Sequence, residues 1–371
     1  MSSFKIVPEI HVMDTLREFL DTFSVGKGDI LLTDRCLYDP YLADKNLECT
    51  VIIQDDFGPG EPNSDKVKAI YETAKKTSFK RVVGIGGGTV IDIAKLLCLG
   101  DLTRMLDMFQ GKIPVRKQHE LLILPTTCGT GSEITNISIV AFNDLNIKLG
   151  LAQNALYADH AVLVPELLQG LPYRVFLLSS IDAMIHGMES YLSPKANTFT
   201  RFFSVDAIQT ILKGYMYLAE KGEGEKTALL KEFLIASCYA GIAFSNAGCG
   251  TVHAMSYPLS GEYHLPHGEA NHECLIEVFK YYYAKNPSGD LADLMALIAS
   301  ILGCEQKDTI EALEKLLDSL IQRRPMASFG MTEEKAAEFA ESVEKTQQRL
   351  LANSYVPMNV PDMAEIYKKL L

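Results

Sequence analysis

Asp182 and His186 stand four residues apart in a run with helical apolar spacing, so both side chains leave one face of the same helix. Two such groups can converge on one cation. On their own they fit a structural hydrogen bond as well, because the neighbours Ile181, Ala183, Met184 and Ile185 mark a buried helix, and a buried carboxylate beside a buried imidazole needs a partner. The histidine distribution adds to the pair: five of the eight histidines lie between His186 and His272. His253 follows the small-residue run Asn246–Val252 in a short helical stretch, and His267 comes after a turn set by Pro266 and before Gly268. One carboxylate with three imidazoles is a donor set for iron, zinc or cobalt, and composition does not choose among them. A cation held this way acts as a Lewis acid on an alcohol oxygen and lowers its pKa.

Two polar loops suggest a second ligand. Gly84-Ile85-Gly86-Gly87-Gly88-Thr89-Val90-Ile91-Asp92 lies between a strand-like and a helix-like run. Glycines let a backbone approach a pyrophosphate, and a helix N-terminus offers N–H groups and partial positive charge. The Gly-x-Gly-x-x-Gly pattern is not met, since Thr89 takes its sixth position, so a tight structural turn is an equal reading of this loop alone. Pro125-Thr126-Thr127-Cys128-Gly129-Thr130-Gly131-Ser132-Glu133 follows another strand-like run and is dense in small hydroxyls, which suit phosphate, ribose or amide groups or an ordinary Ser/Thr turn. Two such loops after strands of one α/β sheet point to a dinucleotide. Asp34, directly after the strand Asp29–Thr33, can accept from a ribose 2′-OH and repel a 2′-phosphate, although it precedes the glycine loop and its position also fits a cap. A nucleotide and a Lewis acid together imply hydride transfer between an alcohol and a nicotinamide.

These residues need a frame. Runs at residues 29–33, 49–53, 81–85, 121–124 and 161–164 read as buried strands, alternating with helical patterns at 64–77 and 89–98. Ser64 is placed to cap the first of these helices. This alternation predicts an α/β domain with a mostly parallel sheet over residues 1–172. Beyond Pro172 strand-like runs nearly vanish, and segments such as 182–191, 202–220, 226–244 and 291–302 predict an all-helical domain over residues 173–371. A ligand is expected in the cleft between two such domains.

Composition narrows the partners. A chain of 371 residues favours two domains, and a formal net charge of −12 argues against a nucleic-acid surface. No apolar run approaches the roughly 20 residues that span a bilayer, and no basic-then-apolar leader is evident at the N-terminus, so a cytoplasmic protein away from membranes is expected. The eight cysteines are scattered with no Cys-x-x-Cys pair, which predicts free, buried thiols.

Taken together, the motifs resemble the iron-containing (group III) alcohol dehydrogenase family along essentially the whole chain. Gly86-Gly87-Gly88-Thr89-Val90-Ile91-Asp92-Ile93-Ala94-Lys95 is similar to its Gly-Gly-Gly-Ser-x-x-Asp-x-Ala-Lys motif with Thr89 for serine, and residues 125–133 resemble its second nucleotide loop. The resemblance implies a dehydroquinate synthase-like fold, with a dinucleotide-binding domain followed by an all-α metal-binding domain. It implies Asp182, His186, His253 and His267 as ligands of Fe2+, with Zn2+ as second choice. It also implies NAD(H) lined by Gly86, Gly87, Gly88, Thr89, Asp92, Thr126, Thr127, Thr130 and Ser132, with Lys148 as a further contact and Asp34 as the residue favouring NAD. A homodimer and a small alcohol or aldehyde substrate follow from the same likeness. Many members carry another histidine four residues after the third ligand; here Tyr257 stands there, which removes any proton relay through that histidine. The run Ser256–Asn271 most resembles members acting on 4-hydroxybutyrate, implying reversible reduction of succinate semialdehyde with NADH. Tyr257 and His264 are then expected contacts of the substrate carboxylate, with packing as the alternative. A broad primary-alcohol, butanol or 1,2-diol dehydrogenase is the nearest other reading, and a non-catalytic nucleotide sensor the nearest of another class.

Overall fold

Five short runs of Val, Ile and Leu with flanking breakers become five parallel strands, because a strand covered by helices on both faces must be apolar on both. In the computed structural model, which describes residues 3–145 and 147–371, these are β2 (Asp29–Thr33), β3 (Thr50–Ile53), β4 (Arg81–Gly86), β5 (Glu120–Pro125) and β8 (His160–Leu163). A sixth, β1 (Glu9–Val12), completes an all-parallel sheet of order β1-β8-β5-β4-β2-β3. The remaining strands, β6 (Ile137–Phe142) and β7 (Ile147–Ala152), form an antiparallel pair. Ile30, Leu32, Val82, Leu121 and Ile123 are buried in one cluster with Val90, Ile91, Ala94 and Leu97 of the helix Gly88–Leu97. Each Val, Leu or Ile among them contributes about 1.5–3 kcal/mol on full burial. A Cβ on Gly84 would come within 2.8 Å of the Ala94 Cβ, so glycine lets this helix lie close against β4.

The chain divides into two compact units. The α/β unit comprises Ile6–Thr127 and Gly131–Leu171. The helical unit runs over Pro172–Leu371 and takes in Cys128–Thr130 and the stretch ending at Lys5. In the helical unit, Tyr173–Leu192 packs against Thr198–Lys221, Leu230–Ala247 and His267–Lys285.

Several expectations need correction. Asn63, not Ser64, caps the helix Ser64–Ala74, its side chain accepting from the Lys66 N–H. β1 went unrecognised because it is an edge strand with mostly exposed residues, so no buried run marks it. The β6–β7 pair was also missed. Its strands pair mostly with each other rather than entering the parallel sheet. One helical stretch among the described residues, Glu223–Ala247, is long and apolar enough to cross a membrane by length and composition, contrary to the expectation that none exists. Its apolar residues are spread around the helix because more than half of its most apolar window is buried among other helices. All eight cysteines are free, but Cys36 is exposed and Cys49 and Cys304 are only partly buried, contrary to the expectation of buried thiols.

Candidate metal centre

Asp182 lies in the middle of Tyr173–Leu192, a helix buried over most of its surface. Helical geometry alone brings His186 to the same face, with its Nε2 3.9 Å from Asp182 Oδ1. The other two imidazoles arrive from different helices. His253 Nε2, from Thr251–Tyr263, lies 3.4 Å from Asp182 Oδ1, and His267 Nε2, from the first residue of His267–Lys285, lies 3.7 Å from it. Metal–nitrogen bonds of about 2.1 Å place ligands about 3.4 Å apart in a tetrahedral site, so the four donors stand at ligand spacing. Asp182, His186 and His253 are almost completely buried, whereas the His267 side chain is 35% exposed, which leaves one side of the cluster open.

Other residues hold these four in place. Glu189, one turn beyond His186, receives the Val252 N–H on Oε1 at 2.6 Å and meets His253 Nδ1 on Oε2 at 2.6 Å. That contact holds Nδ1 as a donor to Glu189 and aims Nε2 toward Asp182. His186 is clamped by rings, stacked on Phe244 at 4.4 Å and on His253 at 4.6 Å. Asn271, a turn beyond His267, donates to Asp182 Oδ1 at 2.7 Å and lies 3.2 Å from His267 Nε2. Gly268 lets its helix press against Tyr173–Leu192, since a Cβ there would come 2.1 Å from the Leu178 carbonyl oxygen. Neither Glu189 nor Asn271 was singled out in the sequence. The usable signal was periodicity: Asp182, His186 and Glu189 repeat at i, i+4, i+7, and His267 and Asn271 at i, i+4.

The electrostatics follow from this packing. Burial pushes the Asp182 carboxyl upward, but the three imidazoles outweigh it and hold the group below the ordinary carboxylate range. Burial, reinforced by the other two imidazoles, lowers His186 to about 3 despite the attraction of Asp182, so it is neutral. Burial also disfavours charge on His253, yet the nearby carboxylates of Asp182 and Glu189 win and raise it to about 9.

In the α/β unit, parallel pairing explains how an acid that precedes the glycine loop comes to stand beside it. Thr33 of β2 pairs with Ile85 of β4, and Gly86 with Pro125 of β5, so Asp34, Gly87 and Thr126 leave the sheet at neighbouring strand ends. The Gly87 N–H serves the Asp34 carboxylate, and a Cβ on Gly86 would come within 3.0 Å of Asp34 Oδ2. Burial raises the Asp34 pKa, opposed by the Gln54 hydrogen bond of 2.7 Å. The Thr126 N–H donates to the Gly86 carbonyl at 3.2 Å, and Gly87 lies beside Thr127. Gly88 opens the following helix with Thr89 in its first turn. Ser132 and Asp92 are joined by a 3.2 Å hydrogen bond. Lys95, fully buried, donates to Ser132 at 2.9 Å, to Thr135 at 3.0 Å and to the Ile137 carbonyl at 2.7 Å. Burial lowers this ammonium to about 8. Thr130 belongs to the helical unit, in the same short stretch as Gly129. Lys148 is exposed on β7 and ion-paired with Glu61.

Of the two expected substrate contacts, Tyr257 stands with its ring 6.1 Å from that of His267. His264 is exposed and ends the helix in a left-handed conformation with φ 54°. Arg174 and Arg324 both reach Glu269, two residues past His267, at 2.7 and 2.6 Å.

Two family models cover the chain almost end to end: iron-containing alcohol dehydrogenase over residues 6–165, and the C-terminal part of the Fe-containing alcohol dehydrogenase family over residues 176–371. The chain belongs to the iron-containing alcohol dehydrogenase family. It is 47% identical to a 4-hydroxybutyrate dehydrogenase of Clostridium kluyveri over 370 residues, covering 100% of both chains. It is 30% identical to long-chain-alcohol dehydrogenase 1 of Geobacillus thermodenitrificans, covering 86% of this chain and 82% of the relative. The fold matches that of sulfoacetaldehyde reductase from Bifidobacterium kashiwanohense, solved with NAD+, with a TM-score of 0.87 at 22% identity over 100% and 98% of the two chains. The donor set suits the iron of this family's name. His253 Nε2 is buried with no hydrogen-bond partner of adequate geometry among the described residues, and it faces a carboxylate shared by two other imidazoles. A cation at that point satisfies the orphaned nitrogen and takes the place of the proton that His253 otherwise carries.

Proposed function

We propose that this chain is an NAD(H)- and iron-dependent alcohol dehydrogenase that interconverts 4-hydroxybutyrate and succinate semialdehyde. The observation that carries the reading is the convergence of three imidazole Nε2 atoms on Asp182 Oδ1 in a chain of the iron-containing family. Asp182, His186, His253 and His267 would hold Fe2+, which would supply Lewis acidity toward the substrate oxygen, and bound NAD+ would supply the hydride acceptor. The half-exposed His267 marks the side from which the substrate enters. Glu189 and Asn271 keep His253 and Asp182 aimed at the ion.

On the cofactor side, Asp34 accepts from the ribose of the adenosine, and its charge rejects a 2′-phosphate. Gly86, Gly87 and Gly88 let the backbone approach the pyrophosphate, with Thr89 at the helix N-terminus beside it. Thr126, Thr127 and Thr130 offer hydroxyls to the cofactor, and Lys148 offers its charge. Asp92 and Ser132, bonded to one another and buttressed by Lys95, act by shaping the loop.

The substrate is taken from the full-length likeness to the Clostridium kluyveri enzyme. Tyr257 and His264 are assigned to the carboxylate end, Tyr257 being the better placed because it stands beside His267. We place the reaction in the cytoplasm and the chain in a homodimer.

Anaerobic purification, elemental analysis and an NAD(H)-linked assay test the proposal. The expected result is reduction of succinate semialdehyde far more efficiently than of butanal, lactaldehyde or glycolaldehyde. Equal efficiency on butanal overturns the substrate, and tight NADH binding without turnover of any aldehyde or alcohol overturns the activity. His267→Ala loses iron and activity together. An unchanged KM for succinate semialdehyde in both Tyr257→Phe and His264→Ala removes these two residues from the substrate site.

A further inference from the structure

A second group of metal-type donors lies in the α/β unit and shares no residue with the Asp182 cluster. Glu9 and His11 are on β1, and His160 opens β8. The two strands are parallel neighbours with Glu9 paired to His160, and the two-residue period of a strand puts Glu9 and His11 on one face. His11 Nε2 and His160 Nδ1 are 3.1 Å apart. Glu9 offers one carboxylate oxygen 3.8 Å from His11 Nε2 and the other 3.7 Å from His160 Nδ1. We propose that Glu9, His11 and His160 form a second, peripheral site for a divalent transition-metal ion such as Zn2+.

The donor types and distances carry the proposal. Bonds of about 2.1 Å to a tetrahedral ion separate ligands by about 3.4 Å, and the three distances among these side chains, 3.1, 3.7 and 3.8 Å, bracket that value. Two imidazoles and one carboxylate suit Zn2+, Co2+ or Ni2+ rather than Mg2+ or Ca2+, which take oxygen donors. The rings are held for this purpose. Phe23 packs edge-on against both, at 5.3 Å from His11 and 5.1 Å from His160. His160 Nε2 faces Glu120 Oε1 at 3.6 Å, which favours the proton on Nε2 and frees the Nδ1 lone pair toward His11. The His11 and His160 side chains are 24% and 22% exposed, enough for an ion to enter and for water to complete its shell. An ion there ties the edge strand β1 to β8.

The test counts metal on intact protein. Iron-loaded enzyme is dialysed anaerobically against graded Zn2+ and analysed for both metals. Wild type takes up one Zn2+ more than His11→Asn or His160→Asn, and both variants keep their iron and their alcohol oxidation. Glu120→Gln binds this Zn2+ about 10–100-fold more weakly. A second measurement needs no substitution: Zn2+ protects His11 and His160 of wild type from acylation by diethyl pyrocarbonate, mapped by mass spectrometry. The proposal is overturned if wild type binds the same number of zinc ions as His11→Asn and His160→Asn, if zinc enters only as iron leaves, or if neither histidine is protected below millimolar Zn2+. The count is a difference between wild type and variant, so it stands whatever metal the Asp182 cluster holds.

Discussion

Glu189 Oε2 lies 2.6 Å from Nδ1 of His253, and both groups are buried. The carboxylate thereby fixes which imidazole nitrogen faces Asp182, without itself entering the donor cluster around Asp182 Oδ1. Glu189→Gln keeps the shape and can still accept the Val252 N–H. It replaces the charged partner of His253 with a neutral one. Iron affinity is expected to fall about 10–100-fold, measured as metal retained during dialysis against a graded chelator. Unchanged retention would show that His253 needs no orienting carboxylate.

Close helix packing gives a second prediction. Gly268→Ala puts a methyl group 2.1 Å from the Leu178 carbonyl oxygen, and the two helices must separate. The cost is about 1–3 kcal/mol of stability, with loss of iron because His267 moves away from Asp182. Gly261, in the neighbouring helix Thr251–Tyr263, has nothing within 4 Å of such a methyl. Gly261→Ala is therefore neutral or stabilising by up to about 1 kcal/mol. Thermal melts and iron content of the two variants check the contrast; equal behaviour would refute it.

Cofactor choice rests on Asp34. Asp34→Gly removes a carboxylate that opposes a 2′-phosphate, so kcat/KM with NADP+ rises about tenfold or more while that with NAD+ falls. Steady-state kinetics with both cofactors decide it. A fall with both in equal proportion means that Asp34 supports the loop instead of reading the ribose.

Stability should depend on pH through Glu273. Burial raises this carboxyl to about 7, and the Arg324 N–H donating to it only partly opposes the shift. Between the ordinary value of 4.5 and about 7 the folded chain holds a proton that the unfolded chain has lost. The stabilising contribution is thus fully present below 4.5 and declines as pH rises through 7, by an amount on the order of 1–3 kcal/mol. Glu273→Gln removes this decline. Denaturant unfolding at pH 5 and pH 8 for wild type and variant measures the difference, and identical pH dependence in the two would refute the assignment.

What the sequence determined by itself was local. The four-residue spacing of Asp182 and His186 sets them on one helix face wherever that helix packs, and runs such as Arg81–Gly86 and Glu120–Pro125 become strands because their apolar length and flanks leave little else. The glycines before Thr89 likewise mark a close turn ahead of a helix. Tertiary structure decided which of these pieces meet. His253 and His267 join Asp182 only because three helices pack together, and Glu189 orients His253 across 64 residues of chain. Asp34 reaches Gly87 through the parallel pairing of β2 with β4, and His11 meets His160 across 149 residues through the pairing of β1 with β8. Periodicity encodes which face a side chain leaves from. The neighbour it finds there depends on strand register and helix packing, which are settled by contacts between segments far apart in the chain.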